Sequence, residues 1–148
     1  MEQTEKVNQL RELVRLMERK LGVLEDGEMA CCGVSLAQCH ALVEIGRAKS
    51  ISLVELSKLI DLDNSTMSRT VNNLVNNGLA ERELDPNDRR YVTIKLTPDG
   101  FKAFNEIEEN MEFYFEKIFL AIPAEKRDQV LESLNTLLTA IAESDCCC

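Results

Sequence analysis

Residues 62–96, LDNSTMSRTVNNLVNNGLAERELDPNDRRYVTIKL, decide the fold of this chain because they combine one helix pattern with two strand patterns. Asp63 is a favourable N-cap residue, and apolar side chains then recur at helical spacing, which predicts a helix with one buried face. Gly78 stands where the C-terminal cap of that helix is expected. The apolar positions of the predicted helix are Met67, Val71, Leu74 and Val75.

Two strand patterns follow the predicted helix. Residues 80–84 and 91–96 alternate between apolar and polar side chains, and the turn-forming residues 85–90 between them predict a β-hairpin. Ser52 and Glu55 form a capping box that opens a short helix just before the polar-faced one. Two closely linked helices followed by a hairpin are typical of a winged helix-turn-helix, whose second helix enters the major groove of DNA.

The residues before this region predict two further helices. Residues 4–21 carry an apolar stripe at helical spacing, and Gly22 is expected to end that helix. Ser35 opens a second helix through a capping box, and the helix is expected to run to about Ile45, before Gly46. The chain therefore enters the winged-helix region from two amphipathic helices.

Two helices also follow the hairpin. Thr97 and Pro98 form an N-cap followed by proline at the first helical position, and Pro123 is expected to start the last helix. The order α-α-α-α-β-β-α-α predicts a mainly α fold with a small β-hairpin wing. The outer helices have apolar stripes too wide for a lone winged helix, so we expect them to pair in a homodimer. The predicted organisation is a single domain over 1–148, a DNA-binding lobe over 35–100, and dimerisation helices over 4–21 and 101–143.

Composition narrows the class of protein. Aromatic residues make up 5% of the chain and tryptophan is absent, so the core must be aliphatic. No apolar run approaches the roughly 20 residues of a membrane helix, and the N-terminal residues have no secretory pattern. We therefore expect a cytoplasmic protein that makes no membrane contact, in which the six cysteines are reduced thiols rather than disulfides.

The net charge of −9 argues at first against nucleic acid as a partner. The distribution of the charge weakens that objection. Residues 65–102 hold six basic side chains against five acidic ones, whereas residues 103–148 hold three against ten. The acidity is therefore concentrated in the C-terminal helices, away from the predicted reading surface.

This pattern resembles the MarR family of bacterial transcriptional regulators over nearly the whole chain. The most specific part is LDNSTMSRTVNNLVNNGLAERELDPNDRRYVTIKLTPDG, residues 62–100. The resemblance implies a winged-helix homodimer and ligand-modulated repression of nearby genes. The wing of the family carries an Asp-x-Arg-Asp-x-Arg pattern, which Asp85, Asp88 and Arg90 match. Asn87 stands where the first arginine, typically the minor-groove finger, is usual, which implies a weaker wing contact. Two alternatives stay open: Asn87 reads the groove edge weakly, or Arg89 supplies the electrostatic part of the contact.

The polar face of the predicted recognition helix carries the candidate DNA contacts. Arg69 lies near its N-terminal end and is the best candidate for a bidentate contact to guanine. Ser52, Thr66, Asn72 and Asn73 are better suited to bond phosphates. Two alternatives stay open: the polar face is merely solvated, and Arg90 shapes the wing turn through an ion pair. The predicted contacts to a palindromic double-stranded operator are Ser52, Ser65, Thr66, Ser68, Arg69, Asn72, Asn73, Asn87, Arg89 and Arg90.

The cysteines form two clusters that suit thiol chemistry. Cys39 lies in the first turns of the second helix, where the helix dipole stabilises a thiolate. Vicinal thiols bind soft metals or metalloids, and arsenic(III)-like chemistry suits Cys31 and Cys32 best. Two alternatives stay open: Cys39 is a small core residue, and the effector is a small molecule that touches no cysteine. The candidate sensing residues are Cys31, Cys32, Cys39, Cys146, Cys147 and Cys148, of which Cys31, Cys32 and Cys39 form the candidate metal or metalloid site.

These observations predict a dimeric transcriptional regulator, interpreted as a repressor that a small effector, thiol oxidation or a soft metal releases. No required cofactor is expected. The rival interpretation is a winged-helix module for protein interaction that uses the acidic surface. An enzyme is not expected, because the sequence has no Cys-x-x-Cys motif, no catalytic triad and no phosphate loop.

Overall fold

The computed structural model describes residues 1–29, 35–88 and 90–144. Helices dominate these residues, and one small antiparallel sheet accompanies them, so the prediction of a mainly α fold with a hairpin wing is confirmed. The elements are α1 Glu2–Met29, α2 Leu36–Ala48, β1 Ile51–Ser52, α3 Leu53–Ile60, α4 Asn64–Asn76, β2 Ala80–Leu84, β3 Val92–Leu96, α5 Pro98–Ala121, a 3₁₀ turn Ala124–Lys126, and α6 Arg127–Glu143. None of the described helices is long and apolar enough to cross a membrane.

The sheet contains a strand that the sequence pattern does not predict. Its order is β1-β3-β2, and β1 pairs with β3 through Ile51 opposite Ile94 and Ser52 opposite Thr93. Two residues are too short for an alternating pattern, so this strand exists only through pairing with a distant segment. The hairpin strand β3 begins at Val92 rather than at the predicted Tyr91.

The core of the first compact unit, Met1–Glu108, is aliphatic as expected. Helices α2, α3 and α4 and the central strand β3 each contribute a fully buried side chain, so the sheet and the helix pair share one hydrophobic interior. The largest fully buried side chains are Leu42, Ile45, Leu56, Met67, Leu74, Ile94 and Val71.

Two glycines do not end helices as the sequence predicts. Helix α1 continues through Gly22, because a glycine inside a helix costs only about 1 kcal/mol relative to alanine and neighbouring residues can offset that cost. Helix α2 continues through Gly46 to Ala48. A Cβ at Gly46 would lie 2.5 Å from the ring of Phe104, so this glycine permits a close approach of α5 instead of stopping α2.

A second compact unit begins at Glu109 and contains the end of α5 and all of α6. Pro123 does not start α6 directly, because it precedes the 3₁₀ turn Ala124–Lys126, and α6 begins at Arg127. The Arg127 guanidinium donates hydrogen bonds to the backbone carbonyls of Phe119, Leu120 and Ile122, which satisfies the C-terminal end of α5.

Candidate nucleic-acid interface

The N-terminal end of α4 is fixed by one acidic side chain. The backbone N–H of Thr66 donates to Oδ1 of Asp63 at 2.7 Å, and the hydroxyl of Thr66 donates to Oδ2 at 2.8 Å. These hydrogen bonds, the backbone one first, lower the pKa of the exposed Asp63 carboxyl from its ordinary value of 3.8. The predicted N-cap is confirmed, and the structure adds a second hydrogen bond that the sequence pattern does not indicate.

Helix α4 turns one face inward and one outward, as its periodicity predicts. Met67, Val71 and Leu74 are fully buried, and Thr70 is almost so. The opposite face presents polar side chains to solvent, with Thr66 and Ser68 half-buried at its margins. The exposed residues on this face are Ser65, Arg69, Asn72, Asn73 and Asn76. The predicted contacts on α4 therefore share one accessible surface.

The C-terminal end of α4 is joined to the start of α5 by the side chain of Thr97. The Thr97 hydroxyl donates to the carbonyl of Gly78 at 2.6 Å and accepts from the N–H of Gly100 at 3.0 Å. Gly78 has a φ of 74°, in the left-handed region that favours glycine, so the predicted C-terminal stop is confirmed. Thr97 also donates its backbone N–H to the carbonyl of Leu79 at 3.1 Å.

The wing turn is shaped by two aspartates. Asp85 Oδ1 accepts the N–H of Asn87 at 2.9 Å, which is an Asx turn. Asp88 Oδ1 accepts hydrogen bonds from the backbone N–H and from the side-chain Nε–H of Arg90, at 3.0 and 3.2 Å. The side chain of Arg90 is nevertheless 90% exposed, so the ion pair leaves most of its guanidinium accessible. Both the structural role and a phosphate contact therefore remain compatible with Arg90.

Arg82 is a candidate contact that the sequence analysis does not include. It lies in β2 opposite Ile94 of β3, and its Nη2 donates to the backbone carbonyl of Ser68 in α4 at 3.4 Å. The alternation of β2 puts Arg82 on the same side as the buried Ala80, and this register is the signal that points it towards α4. Arg82 therefore connects the wing with the polar face of α4.

The cations of this region differ in their partners. Lys95 pairs with Glu83 and Glu81, which raise the pKa of the lysine in that order. Arg69 and Arg82 have no carboxylate within ion-pairing distance among the described residues. Their positive charges are therefore not neutralised within this part of the protein, unlike those of Arg90 and Lys95.

Ser52 lies at the junction of β1 and α3, away from α4 in sequence. Its hydroxyl oxygen accepts the N–H of Glu55 at 3.1 Å, which confirms Ser52 as the N-cap of α3. The oxygen thereby caps α3, while the hydroxyl proton is not used by that hydrogen bond. Ser52 is half-buried and retains a donor for a partner such as a phosphate.

Most of the predicted sensing residues lie outside the described residues. These are Cys31, Cys32, Cys146, Cys147 and Cys148, and the predicted DNA contact Arg89 is outside them as well. Cys39 is described, and it is 6% exposed among the core residues of α2. This burial supports its interpretation as a small core residue. The described residues contain no group of three or more metal-ligating side chains.

Comparison with known proteins gives one consistent family. A model described as the MarR family matches residues 34–92. An uncharacterized HTH-type transcriptional regulator of Bacillus subtilis, YdgJ, is 25% identical over 71% of this chain and 64% of its own length. The multiple antibiotic resistance protein MarR of Escherichia coli is 33% identical over 60% of this chain and 61% of its own length. The chain thus spans less than two thirds of these curated relatives.

Solved structures resemble the fold over nearly the whole chain. A mutant MarR from E. coli complexed with operator DNA has a TM-score of 0.74 at 26% identity, over 89% of this chain and 92% of that one. FabT of Streptococcus pneumoniae in complex with DNA has a TM-score of 0.79 at 24% identity, over 90% of this chain and 96% of that one. The winged helix-turn-helix architecture inferred from residues 62–96 is therefore confirmed.

Proposed function

The chain belongs to the MarR family, and from this premise we propose that it binds double-stranded DNA as a homodimer and represses transcription until an effector releases it. The observation that carries the proposal is the exposed polar face of α4, which includes Arg69 and lies beside Arg82. Neither arginine has a carboxylate within ion-pairing distance among the described residues. Two comparisons support it, because YdgJ is named as an HTH-type transcriptional regulator and the similar structure of a mutant MarR from E. coli contains operator DNA.

The proposed contacts divide by chemistry. Arg69 has the planar donor pair that fits guanine O6 and N7, and Arg82 supplies positive charge beside the carbonyl of Ser68. The amide side chains of α4 and the hydroxyl of Ser52 bond phosphates, which positions the helix on the DNA. The complete proposed set is Ser52, Ser65, Thr66, Ser68, Arg69, Asn72, Asn73, Asn87, Arg89 and Arg90, with Arg82 added.

The proposal predicts a specific and strongly salt-dependent complex with DNA. Fluorescence anisotropy with a duplex from upstream of the protein's own gene is expected to show tight binding that weakens steeply between 50 and 200 mM salt. About six phosphate contacts give a loss of roughly 1,000-fold over this range, because bound counterions are released on binding. A scrambled duplex of the same length serves as the control. A protein-interaction module is expected to bind neither duplex, and that result would contradict the proposal.

We propose further that the dimer forms through the apolar faces of the outer helices. Within α1 an apolar stripe lies open to solvent, and within α6 a second stripe does the same. Exposed apolar stripes of this extent are uncommon on monomeric proteins and are typical of subunit interfaces. The exposed apolar residues are Val7, Leu10, Leu13, Leu16 and Met17 in α1, and Leu131, Leu134, Leu138 and Ile141 in α6.

A single charge in the α6 stripe tests the dimer. Leu138, which is 61% exposed in the single chain, is expected to become buried between subunits. Leu138→Glu would then place an unpaired carboxylate in an apolar interface, and sedimentation equilibrium is expected to show a dimer affinity at least about 100-fold weaker than that of the wild type. The matched control is Gln129→Glu, an exposed position on the opposite face of α6. Equal dimer affinity for both variants would contradict this interface.

The identity of the effector stays a prediction. Thiol oxidation or an arsenic(III)-like ligand at Cys31, Cys32 and Cys39 remains one hypothesis, and a small molecule that touches no cysteine remains the other. Cys39 is buried, so a ligand or oxidant reaches its sulfur only after local opening of the structure. This burial argues against a sensing role for Cys39 and does not bear on the other cysteines.

A further inference from the structure

We propose that the Thr66 hydroxyl reads the exocyclic amino group of a base in the major groove, and that Asp63 is the positioning residue that sets its hydrogen-bonding polarity. The proposal rests on the proposed DNA binding and assigns one element of its specificity. Asp63 was not among the predicted contacts, and Thr66 was predicted to bond a phosphate. The hydrogen bonds between these two residues give Thr66 a base contact in place of the phosphate contact and give Asp63 a positioning role.

The argument begins with the single proton of the hydroxyl. The Thr66 hydroxyl lies 2.8 Å from Oδ2 of Asp63, while the other carboxylate oxygen accepts the Thr66 backbone N–H. An ionised carboxylate only accepts hydrogen bonds, so the hydroxyl must be the donor of this pair. The same hydrogen bonds lower the pKa of Asp63, which keeps the carboxyl ionised at neutral pH.

A hydroxyl that donates its proton to Asp63 presents only lone pairs to a further partner. In the major groove, such an acceptor pairs with the amino groups N6 of adenine and N4 of cytosine. It does not pair with O6 of guanine, O4 of thymine or a phosphate oxygen, because these groups are acceptors themselves. Thr66 therefore favours an amino-bearing base over a carbonyl-bearing base.

The neighbouring hydroxyl on the same turn shows the contrast. Ser65 is exposed, and its hydroxyl takes part in no hydrogen bond among the described residues. It rotates freely and can donate or accept, so it does not discriminate between the two classes of base. The Thr66 hydroxyl differs from it, because its proton is committed to Asp63 and only its lone pairs remain for a further partner. The half-buried position of Thr66 also restricts the rotamers of its side chain.

Asp63→Asn is a sharp test because it changes the Thr66 hydroxyl from an acceptor to a donor toward DNA and keeps the N-cap of α4. Asparagine is as good an N-cap as aspartate, and its Oδ1 can accept the Thr66 N–H. Its amide nitrogen would then donate to the Thr66 hydroxyl, whose proton turns outward. The hydroxyl becomes a donor, which suits guanine O6 or thymine O4.

The experiment selects duplexes from a library with a randomised central region, using the full chain, Asp63→Asn and Thr66→Val. At one position in each half-site, the wild type is expected to favour adenine or cytosine by about fivefold, the value of one hydrogen bond. Asp63→Asn is expected to favour guanine or thymine at that position, and Thr66→Val is expected to show no preference between the two classes. Asn76→Ala, at the opposite end of the exposed face of α4, is the control that keeps the wild-type preference.

The outcomes separate this inference from the function on which it rests. Enrichment of a motif by the wild type, with the same preference in Asp63→Asn, would overturn the inference and leave DNA binding intact. No enrichment by the wild type would contradict the proposed function and the inference together. Circular dichroism and thermal unfolding establish that both variants are folded, and Thr66→Val removes the hydroxyl without altering the residue that caps α4.

Discussion

Replacing Arg69 with alanine is expected to weaken specific DNA binding by about 100-fold. One bidentate contact to guanine contributes roughly 1–3 kcal/mol of discrimination, and a dimer on a palindromic site would lose two of them. Arg69 is exposed on α4 and has no carboxylate partner among the described residues, so its removal leaves no buried charge unpaired and disturbs no ion pair. The measurement is equilibrium binding of the selected operator at constant salt.

The control for Arg69 is an arginine of the same charge that is already paired. Arg47 contacts Glu44 and Glu108, and Arg47→Ala is expected to leave operator affinity within about twofold. Arg69→Lys keeps the charge but not the planar donor pair, so it is expected to retain non-specific binding and to lose most of the sequence preference. Unchanged operator affinity in Arg69→Ala would exclude the proposed guanine contact.

Gly100→Ala is expected to lower the free energy of unfolding by about 3 kcal/mol or more. A Cβ at this position would lie 1.9 Å from the backbone carbonyl oxygen of Leu79, and backbone cannot rotate aside as a side chain does. The start of β2 or the first turn of α5 would have to move. For a chain of this length the change corresponds to a fall of roughly 10 °C in Tm, measured by thermal unfolding followed by circular dichroism.

Gly22→Ala is the matched control for that substitution. Gly22 lies inside α1, and a Cβ there would meet no atom within 4 Å. Alanine is the better helix former by roughly 1 kcal/mol, so this variant is expected to be as stable as the wild type or slightly more so. If Gly100→Ala unfolds at the same temperature as Gly22→Ala, the close approach at Gly100 does not constrain the fold.

The sequence predicts those features that depend on interactions between residues close together in the chain. Asp63, Ser52 and Thr97 are confirmed N-caps, because a side-chain oxygen and an N–H three residues later are enough to form one. The buried and exposed faces of α4 follow from its periodicity in the same way. These interactions lie within one or two turns of chain, where spacing alone carries the information.

The features that sequence reasoning missed depend on distant residues. Strand β1 exists because Ile51 pairs with Ile94, and a glycine stands inside α2 at position 46 because the ring of Phe104 occupies the space of a Cβ. Arg82 is seen as a neighbour of α4 only once the register of β2 is known. Each of these requires knowledge of which segments meet, and one sequence carries no direct record of that.

The hydroxyl of Thr97 has a mechanical consequence for the two helices that it connects. It joins the carbonyl of Gly78, just beyond α4, to the amide of Gly100 in the first turn of α5. Because one side chain binds both helix ends directly, we expect a tilt at the beginning of α5 to displace the end of α4 as well. The orientation of α4 is therefore expected to depend on that of α5, the helix that follows the wing.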